Sequence, residues 1–304
     1  MTTTSNVITG PARRPRNLAA HVVGSIHDDE TATALGFRGG TVAGSVHLDQ
    51  FPPLLVQAFG QRWFETGSLS LYFRHATTDG EAVRAFVDRP PAGARDPQVR
   101  AWMTTPREGS DQTGGNSQTD DSGQLVAEGT AAVGNPQVPS ALHERDLRPA
   151  DPAELCILKA LKPGDVLGDF RAAVNTERQR SIIVQRAMTE PLDWYSGESP
   201  WGGPIAAPSG VVGLLYTQML AETKDAMGEH VGLFGAIEIR FRAGPVFLDR
   251  EYRVTGEVAA VSQTPKTEVL WFDSRALDDR DEPVAEMRMM LRQMKQSSPL
   301  YASL

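Results

Sequence analysis

The sequence predicts an α+β protein built from one module used twice, each copy a helix followed by an antiparallel meander. Three observations predict it. Short segments recur in the same order in the two halves of the 304-residue chain. Each half carries a glycine-rich turn that opens onto an apolar stretch. After each stretch come three or four segments of strand character, separated by turns containing Asp-Gly, Pro-Pro, Asp-Asp or Gly.

Four segments recur. Gly39-Gly40-Thr41-Val42-Ala43-Gly44 matches Gly202-Gly203-Pro204-Ile205-Ala206-Ala207. Leu71-Tyr72-Phe73-Arg74 matches Ile239-Arg240-Phe241-Arg242. Asp79 before Glu81-Ala82-Val83-Arg84 matches Asp249 before Glu251-Tyr252-Arg253, and Val126-Ala127-Glu128 matches Val284-Ala285-Glu286. The spacing shortens before the last pair because the first copy carries an almost wholly polar stretch, residues 107–123. Such a stretch cannot bury apolar surface and is expected as a disordered insertion in a hairpin.

In the first copy the helix is expected over Val46 to Phe59. Pro52-Pro53 cannot sit inside an unbroken helix, so a kink or a new helix is expected at Pro52. Strands are expected over Ser68–His75, Ala82–Asp88, Gln98–Thr104 and Leu125–Val133. In the second copy Leu214, Leu215, Gln218, Met219 and Glu222 lie on one side of a helix expected over Val211 to Met227. Its strands are expected over Gly235–Arg242, Glu251–Val261, Lys266–Ala276 and Pro283–Gln293. A sheet curled round one helix needs a second sheet to pack against, and the tandem copy supplies it. The modules are read as residues 17–136 and 150–295, preceded by a flexible tail, residues 1–16, with Arg13, Arg14 and Arg16 solvated.

Composition narrows the function. The chain is 40% hydrophobic and 22% charged, as a soluble globular protein would be. A formal net charge of -8 argues against non-specific binding to nucleic acid or anionic membrane. No apolar run reaches membrane-spanning length, and the first residues lack a signal-peptide core. Cys156 is the single cysteine, so no intrachain disulfide or multi-cysteine metal site forms. Its apolar neighbours Leu155, Ile157 and Leu158 fit an inert buried thiol. A cytoplasmic protein with no metal and no cofactor is expected.

The densest chemical signal is Ile26-His27-Asp28-Asp29 followed by the turn Gly36-Phe37-Arg38-Gly39-Gly40-Thr41-Val42-Ala43-Gly44. It sets an acid/base side chain beside backbone N–H donors at a helix start, the two tools that move a proton next to a carbonyl. Asp28 and Asp29 equally fit helix-capping roles. His47, three residues past Gly44, fits either a buried histidine with a partner or a group lining a substrate tunnel. Arg74 and His75 alternate across one strand and face opposite sides.

Asn17-Leu18-Ala19-Ala20, Ile26-His27-Asp28-Asp29 and the glycine turn together resemble the MaoC-like hydratase/dehydratase branch of the hotdog superfamily, over roughly residues 17 to 295. The resemblance implies a double hotdog, two central helices each wrapped by antiparallel sheet, that adds or removes water across the 2,3-double bond of an acyl thioester, CoA-linked in that family. It implies His27 as general acid/base, Asp29 as the acidic residue that follows it, and Gly44 as the backbone N–H donor to the oxyanion. The family's catalytic aspartate falls on Val22, its asparagine on Gly24, its proline on Ser25 and its turn histidine on Ala43. The second copy, with Tyr195-Ser196-Gly197-Glu198-Ser199-Pro200, resembles the same family without the histidine; none stands between His143 and His230. That site is read as inactive, with Tyr195 and Trp201 shaping an acyl pocket. Arg38, Ala43 and His47 complete the expected substrate contacts, Arg38 as the carrier-phosphate contact. The departures leave open a thioesterase, an isomerase, a lyase on a non-CoA substrate, or a non-catalytic binding module. The expected partner is a small acyl thioester, with no nucleic acid and no membrane; a homodimer stays open.

Overall fold

A computed structural model describes residues 6–106, 123–221 and 223–302. The first half contributes strands β1 (Val7–Thr9), β2 (Gly67–Phe73), β3 (Arg84–Asp88), β4 (Gln98–Thr104) and β5 (Leu125–Val133). The second contributes β6 (Val166–Ala173), β7 (Gly232–Phe241), β8 (Glu251–Gln263), β9 (Thr267–Leu277) and β10 (Pro283–Met294). All ten join one sheet in the order β1-β3-β4-β5-β2-β7-β10-β9-β8-β6. Every neighbouring pair is antiparallel. The halves meet at its centre, where Leu69 of β2 lies opposite Ile239 of β7 and Leu71 opposite Ile237. These are the segments whose sequences match between the copies.

The strands alternate faces. Leu69, Leu71, Ile237, Ile239, Phe272 and Leu291 point to an inner side with the helices. Tyr72, Ala236, Trp271 and Met290 point to the other, where Leu142 of the connection between the halves covers them. Inside lie α2 (Gly44–Leu48), α3 (Pro52–Phe59), α4 (Trp63–Thr66) and α6 (Pro208–Tyr216), with α2 against α6. The helix of the first half breaks at residues 49–51, and α3 restarts with Pro52 in its first turn, where a missing N–H costs nothing. Val211, Val212, Leu214 and Leu215 of α6 are all buried, each worth roughly 1.5–3 kcal/mol of hydrophobic stabilisation.

The helix expected over Val211 to Met227 is shorter. It ends at Tyr216, where the Thr217 hydroxyl donates to the Gly213 carbonyl at 2.7 Å, and only a short α7 (Lys224–Met227) follows. The remaining helices are α1 (Asp29–Ala34) and α5 (Thr176–Val184). The sequence pattern predicts neither β6 nor α5.

The N-terminal segment departs from the solvated tail its arginines suggest. β1 pairs with β3, and Arg13 is buried, donating to the Gln50 carbonyl and pairing with Glu190. Residues 107–122 of the expected insertion lie outside the described residues.

The matched segments repeat the same contacts. Arg74 pairs with Glu128 at 2.9 Å as Arg242 pairs with Glu286 at 2.6 Å. Asp79 accepts the Asn17 N–H at 2.7 Å as Asp249 accepts that of Thr176 at 3.0 Å.

Candidate functional site

Residues 25–44 are fixed by a dense set of local bonds. Asp28 caps α1 by accepting the Thr31 N–H (3.2 Å) and hydroxyl (2.6 Å), which hold its carboxyl below the usual carboxylate range. Asp29 accepts the Gly40 N–H at 2.7 Å and so pins the glycine turn to the start of α1. Gly40 passes so close to the His27 carbonyl that a Cβ there would lie 2.1 Å from its oxygen, which only glycine permits. Asn17 Nδ2 donates to that same carbonyl at 2.8 Å. The His27 backbone is thereby clamped from both sides.

The His27 ring lies 2.7 Å, through Nδ1, from the Thr41 carbonyl oxygen. A carbonyl only accepts, so Nδ1 carries the proton and Nε2 carries the lone pair of the neutral ring. His27 lines a cleft of about 780 Å³ that Gly44, His47, Phe73, Tyr216 and Phe234 also line. Both halves of the chain build it. Gly44 opens α2, so its N–H belongs to the first turn, which has no intrahelical carbonyl to bond. The Phe73 ring packs on it: a Cβ at Gly44 would sit 2.7 Å from Phe73 Cε2.

Four of the chain's six histidines (His27, His47, His75 and His230) line this cleft, and among the described residues no aspartate or glutamate does. Asp29 is committed to the turn, so the structure gives it a positioning place and not one on the substrate side. Val22, where the family's aspartate falls, is 45% exposed and outside the lining. His47 is 3% exposed, with Nε2 2.9 Å from the Thr77 hydroxyl and Nδ1 unpartnered; burial pushes its pKa down to about 4. The Thr77 carbonyl also accepts the Val42 N–H, and Thr41 bridges to Thr78, so both imidazoles hang from one short ladder. Ala43 lines the cleft beside Gly44. Arg38 does not. Its Nη2 binds Glu81 (2.7 Å), the Ala76 carbonyl (3.1 Å) and His75 (2.7 Å), which holds the guanidinium at the glycine turn.

The second copy repeats the frame and fills it. Ile205 N–H donates to the Trp194 carbonyl as Thr41 N–H does to Ile26, and Ala206 N–H to Val246 as Val42 N–H does to Thr77. Gln179 Nε2 donates to the Tyr195 carbonyl at 2.8 Å as Asn17 Nδ2 does to His27. Tyr195 therefore stands where His27 stands, a register one residue different from the sequence match of the glycine turns. Tyr195 is 2% exposed and stacks edge-on against Phe64, as Trp194 and Trp201 do. Trp201 Nε1 donates to Glu65 at 3.1 Å, and Glu198 caps its own turn at the Gly203 N–H (3.1 Å). Tyr195 and Trp201 thus belong to a packed aromatic cluster, not to the lining of the cleft. Asp49 accepts the Ser209 N–H at 2.8 Å in the first turn of α6. Sequence reasoning missed Asp49 and Gln179, which carry no motif; only the fold brings them to these backbone groups.

Among the described residues no helix is long and apolar enough to cross a membrane. No family model matches the chain, and no curated protein matches it. Solved structures do match. A protein from Chloroflexus aurantiacus J-10-fl, described as a MaoC domain protein dehydratase, is 13% identical over 95% of both chains, with a TM-score of 0.61. A conserved hypothetical protein from Mycobacterium tuberculosis with a double hotdog fold is 16% identical over 96% of this chain and 97% of that one, with a TM-score of 0.55. A MaoC-like dehydratase is 14% identical over 96% and 99%, with a TM-score of 0.52. The chain is thus a double hotdog protein with the architecture of the MaoC-like dehydratase structures.

Proposed function

We propose that this chain is a hydratase/dehydratase of 2,3-unsaturated acyl thioesters, with His27 as the acid/base and the Gly44 N–H as a donor to the thioester oxyanion. The observation that carries the reading is the His27 tautomer: Nδ1 held on the Thr41 carbonyl leaves Nε2 as a base in a cleft that Gly44 also lines. A carboxylate is not required to balance the reaction. Nε2 takes a proton from water while the oxygen adds to C3, and the enolate charge rests on the Gly44 N–H. The imidazolium then returns that proton to C2, and His27 is regenerated. His47, kept neutral by burial, lines the same cleft.

The test is loss of absorbance from crotonyl-CoA. His27→Ala is expected to lower kcat by about 10² to 10⁴-fold with little change in melting temperature. Full activity in that variant removes His27 from the mechanism. That no carboxylate lines the cleft among the described residues favours one second reading, proton transfer between C2 and C4 by the same histidine. Conversion of a 3-enoyl to a 2-enoyl thioester without hydration distinguishes it.

A further inference from the structure

Among the described residues the cleft is lined by cations and by no acid. Arg292 of β10 lines it half-buried, and among the described residues its guanidinium makes no hydrogen bond and no ion pair. Burial, and after it the neighbouring guanidiniums of Arg74 and Arg145, hold its pKa below the ordinary value. A partly desolvated charge with no counter-ion is unfavourable, and a ligand that supplies the opposite charge relieves it. The backbone makes room for this side chain. Met290 faces Ala236 and Leu291 faces Phe234, so Gly235 is the extra residue of a bulge. A Cβ on Gly235 would lie 2.8 Å from Arg292 Nε and 2.2 Å from Met290 Cε. The strand forgoes a side chain where Arg292 crosses it. Lys266, exposed in the turn between β8 and β9, lines the same cleft and has no acid partner among the described residues. Arg74 is the third cation of the lining and leans on Glu128 at 2.9 Å.

We infer that this end of the cleft is an anion site, in which Arg292 and Lys266 bind a phosphate or carboxylate of the substrate. Phe73, Phe234, Tyr216 and Leu291 then take an apolar portion and His27 faces the reacting carbon. The inference rests on the cleft being the substrate site, as proposed above. The negative group has two sources: the phosphates of the acyl carrier, or a carboxylate on the acyl chain.

Titration calorimetry on the full chain separates them with three probes. Desulfo-CoA carries phosphates without an acyl chain, glutaryl-N-acetylcysteamine carries a carboxylate without phosphate, and butyryl-N-acetylcysteamine carries neither. Arg292→Gln is expected to weaken one charged probe by about 10- to 100-fold and to leave the neutral probe unchanged. Loss confined to desulfo-CoA assigns the carrier; loss confined to the glutaryl probe assigns the acyl carboxylate. Equal binding of both charged probes by wild type and variant overturns the site. Lys266→Gln, in an exposed turn, gives the same readout should Arg292→Gln fail to fold. Charged-probe affinity that does not fall between about 0.05 and 0.5 M salt overturns the site as well. The two proposals fail separately. Arg292-dependent binding with no thioester turned over keeps the anion site and removes the hydratase reading. Hydration of crotonyl-N-acetylcysteamine with charged probes indifferent to Arg292 does the reverse.

Discussion

Asp49→Asn should stabilise the protein at neutral and alkaline pH. The Asp49 carboxyl is 1% exposed; one oxygen accepts the Ser209 N–H, and Oδ2 is buried with no partner. Burial raises its pKa from 3.8 to about 7, against a smaller lowering by Ser209. A carboxyl whose folded pKa lies above its unfolded value stabilises fully below pH 3.8, and that contribution is lost as pH rises towards 7. A rise of that size favours the neutral carboxyl in the folded protein by about 4 kcal/mol. Asparagine keeps the acceptor for Ser209 and cannot ionise. Burial, and then the Asp49 charge, push the pKa of the buried Tyr195 hydroxyl well above the ordinary value, so a neutral residue at position 49 also relieves that neighbour. Urea unfolding of both proteins, followed by tryptophan fluorescence from pH 4 to 9, reads the difference. The variant's advantage should grow from pH 4 to 7 and then level at a few kcal/mol. An advantage independent of pH, or a variant less stable at pH 8, refutes the assignment of a neutral buried Asp49.

Other consequences follow from single contacts. His47 titrates below its ordinary value because it is buried, so its contribution to stability is full above pH 6.5 and lost as pH falls towards 4; His47→Asn should flatten that limb in the same urea series. Gly44→Ala should cost about 1–3 kcal/mol in melting experiments, because the new methyl meets the Phe73 ring, and should lower activity through the displaced N–H. Glu268, fully buried, accepts the N–H groups of Cys156 (2.7 Å), Ile157 (3.0 Å) and Leu158 (2.7 Å) and the Tyr301 hydroxyl. Glu268→Gln converts one acceptor into a donor and should cost about 1–3 kcal/mol, with rapid hydrogen exchange at residues 156–158 as its local signature.

Much of the architecture was legible because it rests on local pattern. Segments of strand character bounded by turn residues located the long strands, and Pro52 announced the break between α2 and α3. Leu71 to Arg74 and Ile239 to Arg242 recur because each supplies one side of the central pairing and an arginine for the same glutamate position. The rest was hidden for physical reasons. β1 is three residues long, and its place depends on β3, far away in sequence. Asp29 looked like a catalytic carboxylate because spacing says nothing about which N–H a side chain meets; Gly40 takes it. Arg38 looked free beside a turn and is held by Glu81. Conversely His27 was identifiable by motif, yet its tautomer needed the Thr41 carbonyl to be in place. Tyr195 in the place of His27 could not be read from a match that was one residue out of register.

The pairing of β2 with β7 has a consequence for how the chain unfolds. Each of those strands is the inner edge of its own half, and in the intact protein neither is an edge at all. A fragment ending before residue 140 would present β2 with its N–H and C=O groups unpaired and Tyr72 stripped of Leu142. Such an edge invites pairing with another chain. The halves are therefore expected to melt in one cooperative transition, and the isolated first half to self-associate, although each has the length of an ordinary domain.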